Sequence, residues 1–142
     1  MLSILRIMVG LLFLQHGTQK IFNFPPRTPP RVFELFTLNP GLAGLMELVG
    51  GVLIVLGLFT RPVAFLLSGQ MAFAYFMAHA PRGFFPIQNG GELAILYCFV
   101  FLYFCFAGAG AWSLDAMRSP IGRSPAGRAP AGRATAAPRG RR

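Results

Sequence analysis

Apolar residues fall into four long blocks, and most polar residues fall between them. The blocks cover residues 2–22, 41–59, 62–80 and 91–110. Each comes close to the roughly 20 residues that a helix rising 1.5 Å per residue needs to cross a hydrocarbon core of about 30 Å. The gaps are rich in helix breakers. FPPRTPPR at 24–31 has four prolines and cannot be helical. Thr60-Arg61-Pro62 reads as a tight turn, with Pro62 at the favoured first position of the third helix. APRGFFPIQNGG at 80–91 mixes Pro and Gly in a further exposed loop. Short connections make consecutive helices antiparallel neighbours. The pattern therefore predicts an all-α integral membrane protein, a four-transmembrane-helix up-down bundle over residues 1–117.

The first block does not stay apolar. LRIMVGLLFL is followed by LQHGTQKIF, which places Gln15, His16, Thr18, Gln19 and Lys20 in the last third of a predicted span. His16 and Lys20 are four residues apart and stack on one helical face, with Gln15 and Gln19 stacked beside them. Glu47 shares a face with Gly44 and Gly51. Small residues let membrane helices approach closely, so Glu47 is expected in a helix contact and not towards lipid. An ionisable group inside a span costs at least about 2.5 kcal/mol to insert and normally finds a partner within the bundle. Lys20 or His16 is the expected partner of Glu47, leaving the other for Glu92.

Alternating helix direction brings the rest of the polar set to the same end. Gln70 is central in the third block, Tyr75 lies above it and His79 at its rim, while Asn89 and Glu92 stand at the entrance of the fourth. The expected site is thus a polar pocket of His16, Gln19, Lys20, Glu47, Gln70, Tyr75, His79, Asn89 and Glu92. For each residue taken singly, a structural role such as fixing helix register or snorkelling to the interface is as good an account. The convergence of the set is what favours a pocket.

Composition supports the membrane assignment. Of 142 residues 54% are hydrophobic, and only 12% are charged, against roughly 25% in soluble domains. The net charge of +9 comes largely from a tail, 118–142, that holds seven of the 13 basic residues in repeats such as SPIGR, SPAGR and APAGR. Pro and Gly at this density cannot bury a core, so a disordered C-terminal tail is expected. Cytoplasmic segments carry the Lys/Arg excess. That rule places both termini in the cytoplasm and the polar pocket facing outward. The first block lacks a cleavage site and is expected to be retained. The tail either fixes topology or tethers to anionic lipid, whose attraction is about 1 kcal/mol per Arg near the surface. No recognition module accompanies the tail, so nucleic acid is not an expected partner.

Other chemistry is limited. Cys98 and Cys105 are two helical turns apart, about 10.5 Å by the helical rise, which is beyond the reach of a disulfide. They read as small buried apolar side chains. A metal site from His16, His79 and Glu47 or Glu92 is compatible with their heights but lacks a paired-His motif. No intrinsic cofactor is expected. The aromatic run of Tyr97, Phe99, Phe101, Tyr103, Phe104 and Phe106 reads as core or lipid-facing surface, with a quinone or lipid slot as the functional alternative. Trp112 fits an interfacial aromatic belt.

The stretches LRIMVGLLFLQHGTQKIF, GLMELVGGVLIVLGLFTRPVA and NGGELAILY leading into GAGAWSLD carry a resemblance. With them, the sequence resembles DoxX family membrane proteins over about residues 2–117. The resemblance implies a small four-helix bundle of the bacterial inner membrane. Some such proteins are subunits of a thiosulfate:quinone oxidoreductase, and others join complexes of thiol and oxidative-stress defence. Relatives that carry out disulfide chemistry use a cysteine pair, which this chain lacks.

Three functional readings remain open. The first is a membrane subunit of a quinone-linked sulfur or thiol redox system, with quinone as the candidate cofactor and a redox protein as partner. The second is a non-catalytic scaffold or assembly factor. The third is a small-molecule or ion conduit, which would need a homo-oligomer because the inner half lacks a polar path.

Overall fold

The computed structural model describes residues 1–29, 34 and 36–118. The expected tail lies outside the described residues apart from Arg118. Among the described residues every regular element is helical. Helix α1 spans Leu2–Phe22 and ends on Asn23, whose left-handed conformation (φ 52°) stops the helix as Asn and Gly do. A π-helical turn, Leu38–Leu42, leads into α2, Ala43–Leu56. Helix α3, Thr60–Ala74, continues through a π-turn at Tyr75–His79 and a tight turn at Ala80–Arg82. A short α4, Pro86–Asn89, precedes α5, Glu92–Ala107, and α6, Leu114–Arg118, closes the described chain.

Four long helices run alternately up and down. Gly10 and Gly17 of α1 lie against Val55 and Leu48 of α2, so these helices are antiparallel. Gly50 of α2 meets Leu67 of α3, and Ser68 of α3 donates to the Cys98 carbonyl of α5 at 2.8 Å. Phe13 of α1 closes the ring edge-to-face on Phe101 and Tyr97 of α5, with centroids 4.8 and 5.2 Å apart. The core is this aromatic set with Phe104, Ile54, Leu67 and Met71. The aromatic run of α5 therefore divides: Tyr97, Phe101 and Phe104 are buried, while Phe99, Tyr103 and Phe106 face outward.

The exterior is apolar along much of its length. Leu5, Met8 and Leu12 on α1, Val49 and Val52 on α2, Phe65 and Phe73 on α3, and Leu96 and Phe99 on α5 are all exposed. A soluble monomer rarely exposes so continuous an apolar surface. By length and composition, one continuous helical stretch among the described residues, Thr60–Arg82 at 23 residues, qualifies on its own to cross a membrane. Helices α2 and α5 are apolar but run for 14 and 16 residues, and the polar last third of α1 dilutes its hydropathy.

The interior holds an arginine. Arg6, fully buried, spreads its guanidinium over four main-chain carbonyls at the α2–α3 end of the bundle. Nε donates to Ala109 at 2.8 Å and Nη1 to Val55 at 2.6 Å, with further bonds to Ile54 and Trp112. The last carbonyls of a helix have no partner within it, and at α2 this side chain supplies one. Asp115 does the converse job for α3, accepting from the Phe59 and Thr60 amides at 2.8 Å each. The Trp112-Ser113-Leu114-Asp115 segment thus ties the end of α5 to the α2–α3 turn.

Candidate functional site

The polar groups at the opposite end gather around one ion pair. Gly17 has no side chain, which lets α1 approach the backbone of Glu47 and Leu48; a Cβ there would stand 2.5 Å from the Leu48 nitrogen. Gly44 leaves room for the Lys20 stem in the same way. Lys20 is therefore carried across the face of α2, and its Nζ meets Glu47 Oε1 at 2.5 Å. Glu47 is 3% exposed. Gln70 of α3 completes the group, donating through Nε2 to the Ala43 carbonyl at 3.2 Å and, at 3.5 Å, towards Glu47 Oε1.

Cavities flank the pair on both sides. The larger, about 270 Å³, is walled by Phe13, His16, Tyr97, Met71 and His79 besides the pair itself. The smaller, about 180 Å³, has Gln70, Leu38, Phe73 and Met77 along its walls. Lys20, Glu47, Ala74 and Ala78 border both. Polar capacity is left over inside: Glu47 Oε2 and Gln70 Oε1 are buried without a hydrogen-bond partner among the described residues. Lys20 has three ammonium protons and uses one on Glu47.

The remaining expected site residues divide. His16 lines the larger cavity, with its ring edge-on to Tyr97 at 5.9 Å. His79 lines it too, held by Nδ1 against the Asn89 carbonyl at 3.1 Å. Asn89 is buried but serves the loop, bonding the Gly83 carbonyl and the Gly91 amide. Tyr75 stacks on His79 and turns towards a separate cleft with Ile95 and Phe99. Gln19 reaches the Pro25 carbonyl at 3.3 Å and borders neither cavity. Glu92 is exposed at the start of α5 and meets neither His16 nor Lys20. The fourth-helix acid is therefore outside the pocket, because the α5 face turned inward carries Leu93, Ala94 and Tyr97.

Two contributors went unread in the sequence. Tyr97, seen there only as part of an aromatic run, forms a wall of the larger cavity. Arg6, not singled out in the sequence, anchors the far end. Its signal was available: an ionisable residue inside an apolar run needs an internal partner. No group of three or more His, Cys, Asp or Glu side chains suited to a metal ion occurs among the described residues. Cys98 and Cys105 are unpaired and half-buried.

Comparison with known proteins identifies the chain's relatives. The DoxX family model matches residues 1–80. The chain belongs to the DoxX family. An uncharacterized protein of Haemophilus influenzae is 50% identical over 117 residues, covering 80% of this chain and 87% of its own length. An uncharacterized membrane protein of Mycobacterium tuberculosis is 33% identical over 128 residues, covering 78% of this chain and 77% of its own. No solved structure matches. The match over residues 1–80 takes in α1, α2 and α3, and with them Lys20, Glu47 and Gln70. As a DoxX protein the chain is a membrane protein in contact with lipid, which accounts for its apolar exterior.

Proposed function

We propose that the four long helices span a bacterial inner membrane as an up-down bundle, with both termini cytoplasmic. The pocket around Lys20 and Glu47 then opens to the outer side and binds the headgroup of a quinone, within a larger quinone-linked sulfur or thiol redox system. The observation that carries this reading is the Lys20–Glu47 pair, its carboxylate buried and its ammonium half-buried, bordered by two cavities. A pair serving only to hold helices together is best packed on all sides, since unfilled hydrogen-bonding capacity in a low dielectric is costly.

The residues present suit such a headgroup. Quinone oxygens accept hydrogen bonds, and Lys20 has ammonium protons to donate. Phe13 and Tyr97 give the larger cavity an aromatic wall, and a largely apolar wall with a few convergent polar groups is the usual make-up of a ligand pocket. A bound quinone would supply two-electron redox chemistry. The chain's own part is to hold the ring, exclude water and present Glu47 as a proton acceptor. The redox centre that exchanges electrons belongs to a partner protein in this reading.

A scaffold role is the second reading, favoured by the close seating of Gly17 on the α2 backbone, which makes the pair a register pin. Extraction in mild detergent separates the two. The redox reading expects isoprenoid quinone to co-purify with the wild type and to drop at least tenfold with Lys20→Met. No quinone above that carried by an unrelated membrane protein purified alongside would refute it. Glu47→Gln that lowers abundance without any change in quinone content would favour the scaffold.

A further inference from the structure

Within the larger cavity, His79 is held in one tautomer by the loop beside it. Asn89 is 3% exposed, and its side chain is spent on the Gly83 carbonyl and the Gly91 amide, at 2.8 Å each. These bonds fix the Asn89 main chain, whose carbonyl oxygen lies 3.1 Å from His79 Nδ1. A carbonyl oxygen only accepts, so Nδ1 carries the proton and donates it. In a neutral imidazole the second nitrogen, Nε2, is then a bare acceptor. Tyr75 lies nearly parallel to the imidazole, at 17° and 6.4 Å between centroids, and restricts its rotation. His79 is partly exposed and walls the cavity of about 270 Å³ together with Lys20, His16 and Tyr97.

The polar groups of this cavity therefore differ in what they offer a ligand. An ammonium only donates, so Lys20 suits any ligand oxygen. His16 can present either a proton or a lone pair and serves both kinds of partner. His79, with Nδ1 committed, has only an acceptor left. We propose that His79 makes the larger cavity selective for the reduced, hydroxyl-bearing form of the headgroup, a quinol, whose O–H donates to Nε2 while its other oxygen accepts from Lys20. A quinone has only acceptor oxygens, and one turned towards Nε2 sets lone pair against lone pair. Size agrees: a cavity of about 270 Å³ leaves room for ring substituents beyond the roughly 150 Å³ that accommodates benzene in an engineered core. The inference rests on the reading of this cavity as a quinone-headgroup site and keeps its place against Phe13 and Tyr97. It adds the redox form recognised and the residue that discriminates.

The test uses the full chain in lipid nanodiscs, dialysed without oxygen against duroquinone or its quinol at about pH 8, where imidazole is ordinarily neutral. Bound ligand is measured by absorbance, with the uptake of empty nanodiscs subtracted. The quinol is expected to bind about tenfold more tightly than the quinone, the effect of one further hydrogen bond. His79→Phe keeps a ring but removes Nε2, and should bring the ratio of the two affinities to about one. The chain has two histidines, so nitrogen NMR of histidine-labelled protein gives a second readout, with His16→Phe assigning the signals. Nε2 of His79 should be unprotonated in the free protein and should shift on adding quinol but not quinone. Should His79→Phe fail to fold, the wild-type ratio and the spectra decide. Quinone bound as tightly as quinol, a preference unchanged in His79→Phe, or an Nε2 that carries the proton or ignores the quinol overturns the inference and leaves the quinone reading standing. Binding of neither form overturns both.

Discussion

Gly17→Ala tests the contact on which the pocket depends. The added Cβ would lie 2.5 Å from the Leu48 nitrogen, 2.8 Å from its Cα and 2.9 Å from the Glu47 carbonyl carbon. All three are backbone atoms, so no rotamer change relieves the overlap. Ordinary contact begins near 3.4 Å, and the helices must part locally by about 0.9 Å. That shift also stretches the Lys20–Glu47 bond from 2.5 Å to about 3.4 Å unless the lysine stem re-extends. Overpacking of this kind costs about 1–3 kcal/mol, against a gain of about 0.5–1 kcal/mol from replacing a helical glycine by alanine. The two ranges leave a net loss of about 0–2.5 kcal/mol centred a little above 1 kcal/mol, or a fall in melting temperature of roughly 5 °C at about 4 °C per kcal/mol. A thiol-reactive dye that reports exposure of the half-buried Cys98 and Cys105 gives the readout. Gly69→Ala is the control, since among the described residues nothing lies within 4 Å of a Cβ there; it should be neutral or stabilising. A Gly17→Ala melting temperature at or above wild type would refute the proposed closeness of α1 and α2.

Arg6→Lys should lower the melting temperature by about 8 °C, a loss of about 2 kcal/mol. A lysine cannot fork across the carbonyls of Ile54, Val55, Ala109 and Trp112. The exposed Arg61→Lys should leave the melting temperature unchanged, and equal values for the two variants would count against the anchor. Burial raises the Asp115 carboxyl pKa, but hydrogen bonds from Thr60 and Phe59, with Arg118 nearby, outweigh it and hold the group below its ordinary value. Its stabilisation is therefore complete above the unfolded value of about 3.9 and disappears as pH falls through the lower folded value. Melting curves taken from about pH 6 down to about pH 3 should show a steeper acid loss for wild type than for Asp115→Asn. Parallel curves would remove Asp115 as a cap of α3.

How far the site was legible depended on the property concerned. Helical spacing placed His16 and Lys20 on one face and Glu47 between two glycines, and these positions do border one pocket in the structure. The same spacing could not choose between Lys20 and His16 as the partner of Glu47. That choice follows from reach: Gly17 and Gly44 bring α1 so close that the longer side chain crosses to the carboxylate, while the imidazole turns to Tyr97. Glu92 was expected in the pocket because of its height, but the rotation of α5 about its axis turns it outward. Rotation is set by which side chains pack against Phe13, a property no single helix encodes.

The amino-acid sequence by itself determined that the chain is helical, that its surface suits lipid, and that its ionisable groups are concentrated towards the ends of apolar segments. Residue type and helical period are local, and they suffice for those conclusions. Only the tertiary structure decided that Arg6 is an internal anchor, that Lys20 holds Glu47, and that cavities border this pair. Each of these depends on distances between helices, which arise from the packing of glycines and aromatic rings far apart in the chain.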